Sequence, residues 1–271
     1  MIYSDKGYIG CFEINDKDSG RRQLEEYVRQ LTNAGHKRIV APINGDTWHT
    51  YRLMSWSADE PAFPFEPQNP FWYNDIYTEF GFKPLKTYRS DKFNIDVEPL
   101  SSTNTVFSFS GSDDLTLESA ETSYMDMDLS FRNYRAGDLK LIYDISLYGF
   151  DANFLYDDIT FEAFNQLYQP ILPMIDKELV VIAEVENTPV GFMFSFAAGD
   201  RLILKTMAVL PEYRSLGIGA KMFHHILFAG QGKGLQTAIA ALIAEGNHSH
   251  KIASKYGSEK IREYTLYYLD T

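Results

Sequence analysis

Cysteine is almost absent from this 271-residue chain, which carries only Cys11. No intramolecular disulfide is therefore available, which fits a reducing compartment, and Cys11 itself reads as a small buried hydrophobe. Basic residues are also scarce: 25 Lys and Arg against 37 Asp and Glu leave a formal net charge of −12. That deficit argues against a sequence-independent nucleic-acid binder, which needs a basic face to displace phosphate counterions. An acidic chain is compatible with cationic or amine substrates, but solubility alone is the preferred explanation of the charge. Long apolar runs are missing too. TAIAALIA at 237–244 is far too short to cross a bilayer, and MIYSDKGYIG lacks the basic and apolar regions of a secretory leader. The expectation is a soluble cytoplasmic protein with no membrane or nucleic-acid partner. No His, Cys and carboxylate cluster has ligand spacing, so no metal is implied.

What is present begins with a hydrophobic content of 45%, enough for a real core in one or two domains. Lysine and arginine disappear between 93 and 131, while Asp96, Glu98, Asp113, Asp114, Glu118, Glu121, Asp126 and Asp128 accumulate there. Residues 96–128 read as an acidic, Ser- and Thr-rich connector, with a short strand at TVFSFS (105–110). It separates an N-terminal part, 1–95, from a C-terminal part, 129–271.

The C-terminal part alternates strand and helix signals. Strands are expected at 129–135, 179–185, 190–197, 201–210, 237–243 and 262–269, with 179–185 and 190–197 forming a hairpin across ENTP. Helices are expected from Asp138, across 161–175 with breaks at Pro170 and Pro173, and at 251–257. Antiparallel strands followed by strand–helix–strand describe a mixed α/β sheet.

One stretch carries chemistry: VLPEYRSLGIGAKM, 209–222. Ile218, Met222, Phe223, Ile226 and Leu227 recur at helical spacing after it begins, so its glycines open a helix that follows a strand. Glycine lets backbone N–H groups converge and a ligand approach closely. A helix N-terminus adds unpaired donors and partial positive charge, and Arg214 adds a full one. The result is an anion cradle suited to a diphosphate.

The pattern Arg214-x-x-Gly217-x-Gly219, preceded by Val209-x-Pro211-x-Tyr213, resembles the acetyl-CoA-binding motif of the GCN5-related N-acetyltransferases, the GNAT superfamily. The resemblance extends over most of 129–271 and includes the hairpin, Asn247, a short helix and Gly257. It implies an α/β (α+β) GNAT fold: a mixed, mostly antiparallel sheet flanked by helices, beside a smaller N-terminal GNAT-like α/β region. It also implies acetyl-CoA as co-substrate. Backbone groups of Met207, Ala208 and Val209 would pair with the pantetheine arm and polarise the thioester carbonyl. Backbone N–H groups of Arg214, Ser215, Leu216, Gly217, Ile218, Gly219 and Ala220 would hold the pyrophosphate. Asn247 would contact the cofactor arm or cap the next helix.

Members of the superfamily often place a tyrosine after that asparagine to protonate the leaving thiolate. Here Tyr256 falls late in that frame and is either this acid or a packing residue, with Ser254 a weaker alternative. Glu245 is the candidate general base, with Glu184, His248, His250 or a water chain as alternatives. The implied acceptor is a small-molecule or peptide amine, and many members pair, which allows a homodimer. Two other readings stay open: a non-catalytic acyl-CoA sensor or scaffold, and a protein or peptide N-terminal acetyltransferase.

The N-terminal part repeats some of this grammar. Strands are expected at 7–14, 37–43 and 83–90, and helices at 21–35 and 69–82. This order resembles the second half of a GNAT domain, but NDKDSG before its first helix lacks the Arg-x-x-Gly-x-Gly cradle. It reads as a degenerate half-domain that holds CoA poorly. Residues 42–73 are rich in Trp, Tyr, Phe and Pro, with Asn44, His49, Arg52 and Glu66 interspersed. They either wall a pocket at the interface of the two parts or form the core between them.

Overall fold

Apolar spacing and end signals set the elements of this computed structural model, which describes residues 1–99 and 128–271. The N-terminal part holds β1 (Ile2–Tyr3), β2 (Tyr8–Ile9), α1 (Lys17–Asn33), β3 (Arg38–Ala41), β4 (Leu53–Ser57), α2 (Trp72–Phe80) and β5 (Lys83–Asn94). The C-terminal part begins with β6 (Leu129–Asn133), α3 (Asp138–Phe150), α4 (Phe161–Tyr168), β7 (Val180–Val185), β8 (Thr188–Ala198) and β9 (Arg201–Val209). It ends with α5 (Ile218–Gly232), β10 (Thr237–Ala244), α6 (His248–Ser254) and β11 (Glu259–Asp270). Asp16 caps α1 by accepting the Ser19 N–H at 2.7 Å, and Thr160 caps α4. Gly81, at φ 107, closes α2 in the left-handed region that glycine enters without strain. The strand expected at 105–110 lies outside the described residues.

The eleven strands of the described residues form one sheet, in the order β1-β2-β3-β11-β5-β10-β9-β8-β7-β6, with β4 also paired to β11. Two pairs are parallel, β2 with β3 and β9 with β10; the others are antiparallel. The chain's last strand crosses into the N-terminal part. β11 pairs with β3, β4 and β5, while β5 pairs with β10. The sheet therefore runs without a break through both halves. α5 covers one face of the C-terminal sheet through Met222, Phe223, Ile226 and Leu227, all buried. α3 lies on the opposite face over Ile182, Phe192 and Ala208. α1 and α2 cover the N-terminal strands through Leu24, Leu31, Ile76 and Tyr77.

Several expectations shift in detail. The strand expected over 7–14 shrinks to Tyr8–Ile9, and the helix expected at 251–257 begins earlier, at His248. β4 arises inside the aromatic segment that carried no strand expectation. A 3₁₀ turn, Pro211–Leu216, fills the space between β9 and α5.

Two irregularities in neighbouring strands position the site. β9 and β10 pair only from Arg201 to Leu204 against Thr237 to Ala240, and then separate. Just there, β9 bulges: Leu204 faces Ser195 and Thr206 faces Phe194, so Lys205 has no partner on β8. β10 bulges as well between Ala240 and Ile243 against β5. Leu242 takes a left-handed φ of 60, and its N–H donates to Ser90 Oγ at 3.0 Å.

Candidate active site

Beyond Leu204 the edge of β9 that faced β10 is left open, and Met207, Ala208 and Val209 lie along it. The chain then turns through the 3₁₀ segment into Gly217, whose φ of 71 requires the left-handed region. No side chain caps α5, so the N–H groups of its first turn, Ile218, Gly219 and Ala220, are available to a ligand. A Cβ on Gly219 would meet Met207 Cε at 3.4 Å and Ile252 Cδ1 at 4.0 Å. The missing side chain thus leaves a gap between β9 and α6. The open strand edge, the bare helix N-terminus and this gap together fit an extended arm ending in a diphosphate.

Arg214 does not turn its charge toward this turn. Its Nε donates to the carbonyl of Val209 at 3.2 Å and its Nη2 to the carbonyl of Gly149 at 2.7 Å. The guanidinium ties the end of β9 to α3, and Gly149 permits the close approach, since a Cβ there would sit 2.9 Å from the Ala208 Cβ. Arg214 therefore shapes the cradle from behind.

A cavity of about 870 Å³ opens where β9 and β10 part. Met207, Phe223, Asn247 and Ser249 are among its lining residues, and the aromatic N-terminal segment supplies residues 47–52 and 65–67 to its walls. That segment is anchored across the molecule: Trp48 Nε1 donates to the Asp157 carbonyl at 2.8 Å, and its ring packs edge-on against Phe164. The N-terminal half thus contributes directly to the cavity.

The expected catalytic side chains distribute unevenly. Glu245 lies at the cavity wall, where its carboxylate accepts from the Thr87 hydroxyl. Asn247 caps α6, accepting the Ser249 N–H at 2.9 Å, and also lines the cavity. Tyr256 is not among the lining residues; its ring stacks on Phe93 and Phe223. Burial pushes its hydroxyl up to about 12. The hydroxyl meets His224 Nδ1 at 3.3 Å, and the other ring nitrogen faces the Glu98 carbonyl at 2.7 Å. Of the alternatives, Glu184 is paired with Arg132 at 2.7 Å on the far side of the hairpin, and His250 lies 3.5 Å from the buried Asp91. Ser254 donates to the carbonyl of His250.

Three cavity-lining cations were not singled out as site residues in the sequence: Lys86, whose Nζ donates to the Glu245 carbonyl at 3.0 Å, Lys205 and Arg52. Lys205 projects from the β9 bulge, and burial first, then the charge of Arg52, lowers it to about 7. Arg52, only 6% exposed, is held between Tyr51 and Tyr88, with its guanidinium carbon 4.2 and 4.1 Å from their ring centres. Its Nε and Nη1 have no hydrogen-bond partner among the described residues. A signal for Arg52 existed in the polar residues scattered through the aromatic segment. None existed for Lys205, because a bulge cannot be read from alternation in one strand.

Comparison with known proteins gives a consistent picture. The family model described as "Acetyltransferase (GNAT) family" matches residues 150–257, from the end of α3 through Gly257. The solved GCN5-related N-acetyltransferase from Sphaerobacter thermophilus aligns with 92% of this chain and 66% of its own, at 12% identity and a TM-score of 0.58. The glucosamine N-acetyltransferase region of a fungal multi-domain GH3 β-N-acetylglucosaminidase aligns with 91% of this chain and 27% of its own, at 11% identity and a TM-score of 0.53. At these identities the likeness is one of fold. No curated protein matches.

Proposed function

We infer that this chain, whose residues 150–257 match the GNAT acetyltransferase family model, is an acetyl-CoA-dependent N-acetyltransferase that passes an acetyl group directly to a primary amine. The observation that carries the reading is the separation of β9 from β10 beside the uncapped start of α5. Acetyl-CoA would supply the activated acyl group as a thioester. Met207, Ala208 and Val209 would hold its arm on the open strand edge, where their N–H groups can stabilise developing negative charge on the carbonyl oxygen. The N–H groups from Arg214 to Ala220 would hold the pyrophosphate. Asn247 braces the start of α6 on the opposite side of the gap.

Glu245 is the base we assign to the ammonium form of the acceptor. It lies on the cavity wall, and its bond from Thr87 keeps the carboxylate oriented. Tyr256 is assigned to packing, because its ring belongs to the aromatic stack beneath α5 and burial makes its hydroxyl a poor proton donor. Thiolate protonation then falls to solvent. A second reading, an acyl-CoA sensor without turnover, draws on that same absence of a proton donor at Tyr256. CoA release measured against a panel of amines separates the two. Acetyl-CoA binding with release of CoA by at least one amine supports the enzyme; binding with no release by any amine supports the sensor.

A further inference from the structure

The cavity holds more positive charge than the proposed acetyl transfer requires. Arg52 is nearly fully buried yet leaves Nε and Nη1 unbonded. Lys205 has no hydrogen bond or ion pair among the described residues, and its neighbour is the like charge of Arg52. Burying an unpaired charge such as the Arg52 guanidinium is costly, and the half-buried Lys205 beside it adds like-charge repulsion. Arginine cannot escape the cost by losing its proton.

The acids nearby are already engaged. Glu66 Oε1 accepts from the Tyr264 hydroxyl at 2.6 Å and lies 3.0 Å from Arg262 Nε. Asp46 holds His49 at 2.7 Å, and Glu245 accepts from Thr87. In a chain of net charge −12, none of these carboxylates is turned onto Arg52. The tyrosine pair that clamps Arg52 contributes ring faces only, fixing the guanidinium while leaving its Nε and Nη1 donors unpaired.

We propose that Arg52 and Lys205 form an anion subsite for the acceptor, so that the acetylated amine carries a carboxylate or a phosphate. The proposal rests on the acetyltransferase reading and specifies its substrate class. A guanidinium fork matches either group through paired N–H donors, and the lysine adds a point charge. Lys205 lies two positions before Met207 on β9, where the open edge begins. An anion held there would fix the acceptor at the acyl end of that edge. The donor's own phosphates belong at its other end, beyond Val209, with the start of α5.

The test compares acceptors that differ only in the anionic group. One arm sets free α-amino acids against their amides; the other sets amino-sugar phosphates against the unphosphorylated amino sugars. The two arms distinguish a carboxylate from a phosphate. In at least one arm the anionic member is expected to show a kcat/KM higher by about 10- to 100-fold. Arg52→Gln and Lys205→Met should each erase most of that preference, chiefly through KM. Inorganic phosphate or acetate should raise the melting temperature of the parent protein but not of either variant. Equal rates for charged and uncharged members in both arms would overturn the proposal. So would variants that lower acetyl-CoA affinity as much as acceptor affinity, since the cations would then serve the donor. If Arg52→Gln does not fold, Lys205→Met alone decides. Should the parent bind no acetyl-CoA, the transferase reading fails, while phosphate or acetate protection, and its loss in Lys205→Met, still reports on the subsite.

Discussion

Gly219 gives the cleanest perturbation of the donor site, because the space its missing side chain leaves is well defined. A Cβ there would stand 3.4 and 3.5 Å from Met207 Cε and Sδ, and 4.0 Å from Ile252 Cδ1. These are ordinary contacts with flexible side-chain ends, and Gly219 lies within α5 rather than at a left-handed turn. Gly219→Ala should therefore fold well, with a gain of up to about 1 kcal/mol from reduced freedom of the unfolded chain. Valine adds two further carbons to the gap between β9 and α6; Met207 must shift, at about 1–3 kcal/mol if the crowding is not relieved. On the proposed reading, the donor arm and diphosphate occupy that same gap. Acetyl-CoA affinity should fall in both variants, by at least about 30-fold for valine, or roughly 2 kcal/mol. Calorimetric titration with acetyl-CoA reads the loss, and the melting temperature without ligand reports folding. Gly217 is a poorer probe, since its φ of 71 adds about 1–2 kcal/mol of backbone strain to any substitution. A folded Gly219→Val protein with unchanged affinity would refute the cradle.

The two helix starts differ, so one acetyl-CoA should bind per chain: the start of α1 is already capped by the Asp16 carboxylate, which also repels a diphosphate. A calorimetric stoichiometry of two would contradict this. Tyr256→Phe removes a hydroxyl whose partner is His224 and keeps the stacked ring; turnover should stay within about threefold, whereas a loss of about 10²–10⁴-fold at unchanged donor affinity would mark a proton donor. Lys205, lowered from 10.5 to about 7 in the folded protein, binds fewer protons there than in the unfolded chain. Its contribution makes stability rise with pH between those values, by up to about 1.4 kcal/mol per unit. Lys205→Met should flatten that rise in urea titrations across pH 7–9, and parallel slopes in the two proteins would rule the shift out.

The C-terminal half was legible because its strands and helices carry strong local patterns. The hairpin, the breaks after α4 and the strand–turn–helix of the cradle all appear within a residue or two of their expected limits. The N-terminal half was less so. The strand expected over 7–14 is mostly irregular, because Cys11 bonds through its N–H to the Asn44 side chain instead of to a neighbouring strand. β4 hid among aromatics whose alternation is disturbed by its bulged pairing with β11. No local pattern announces that β11 will insert between β3 and β5, since strand order depends on long-range pairing.

The site divides along the same line. The glycines and the open N-terminus of α5 are local features, and a single stretch of sequence suffices to read them. The direction of Arg214 is not local: its charge appears to belong to the anion cradle until the carbonyl of Gly149, from α3, is brought beside it. Arg52 and Lys205 are further still, 153 positions apart in the chain, and each is unremarkable alone. Their joint meaning arises because β9 bulges at Lys205 just where β10 departs, while the segment leading to β4 lays Arg52 against Tyr88 of β5. The proposed donor site is thus built within one half of the chain, and part of the cavity wall comes from the other. On the proposed reading, such a division would let the N-terminal half change which acceptor is held without disturbing the strand edge and helix start proposed for the donor.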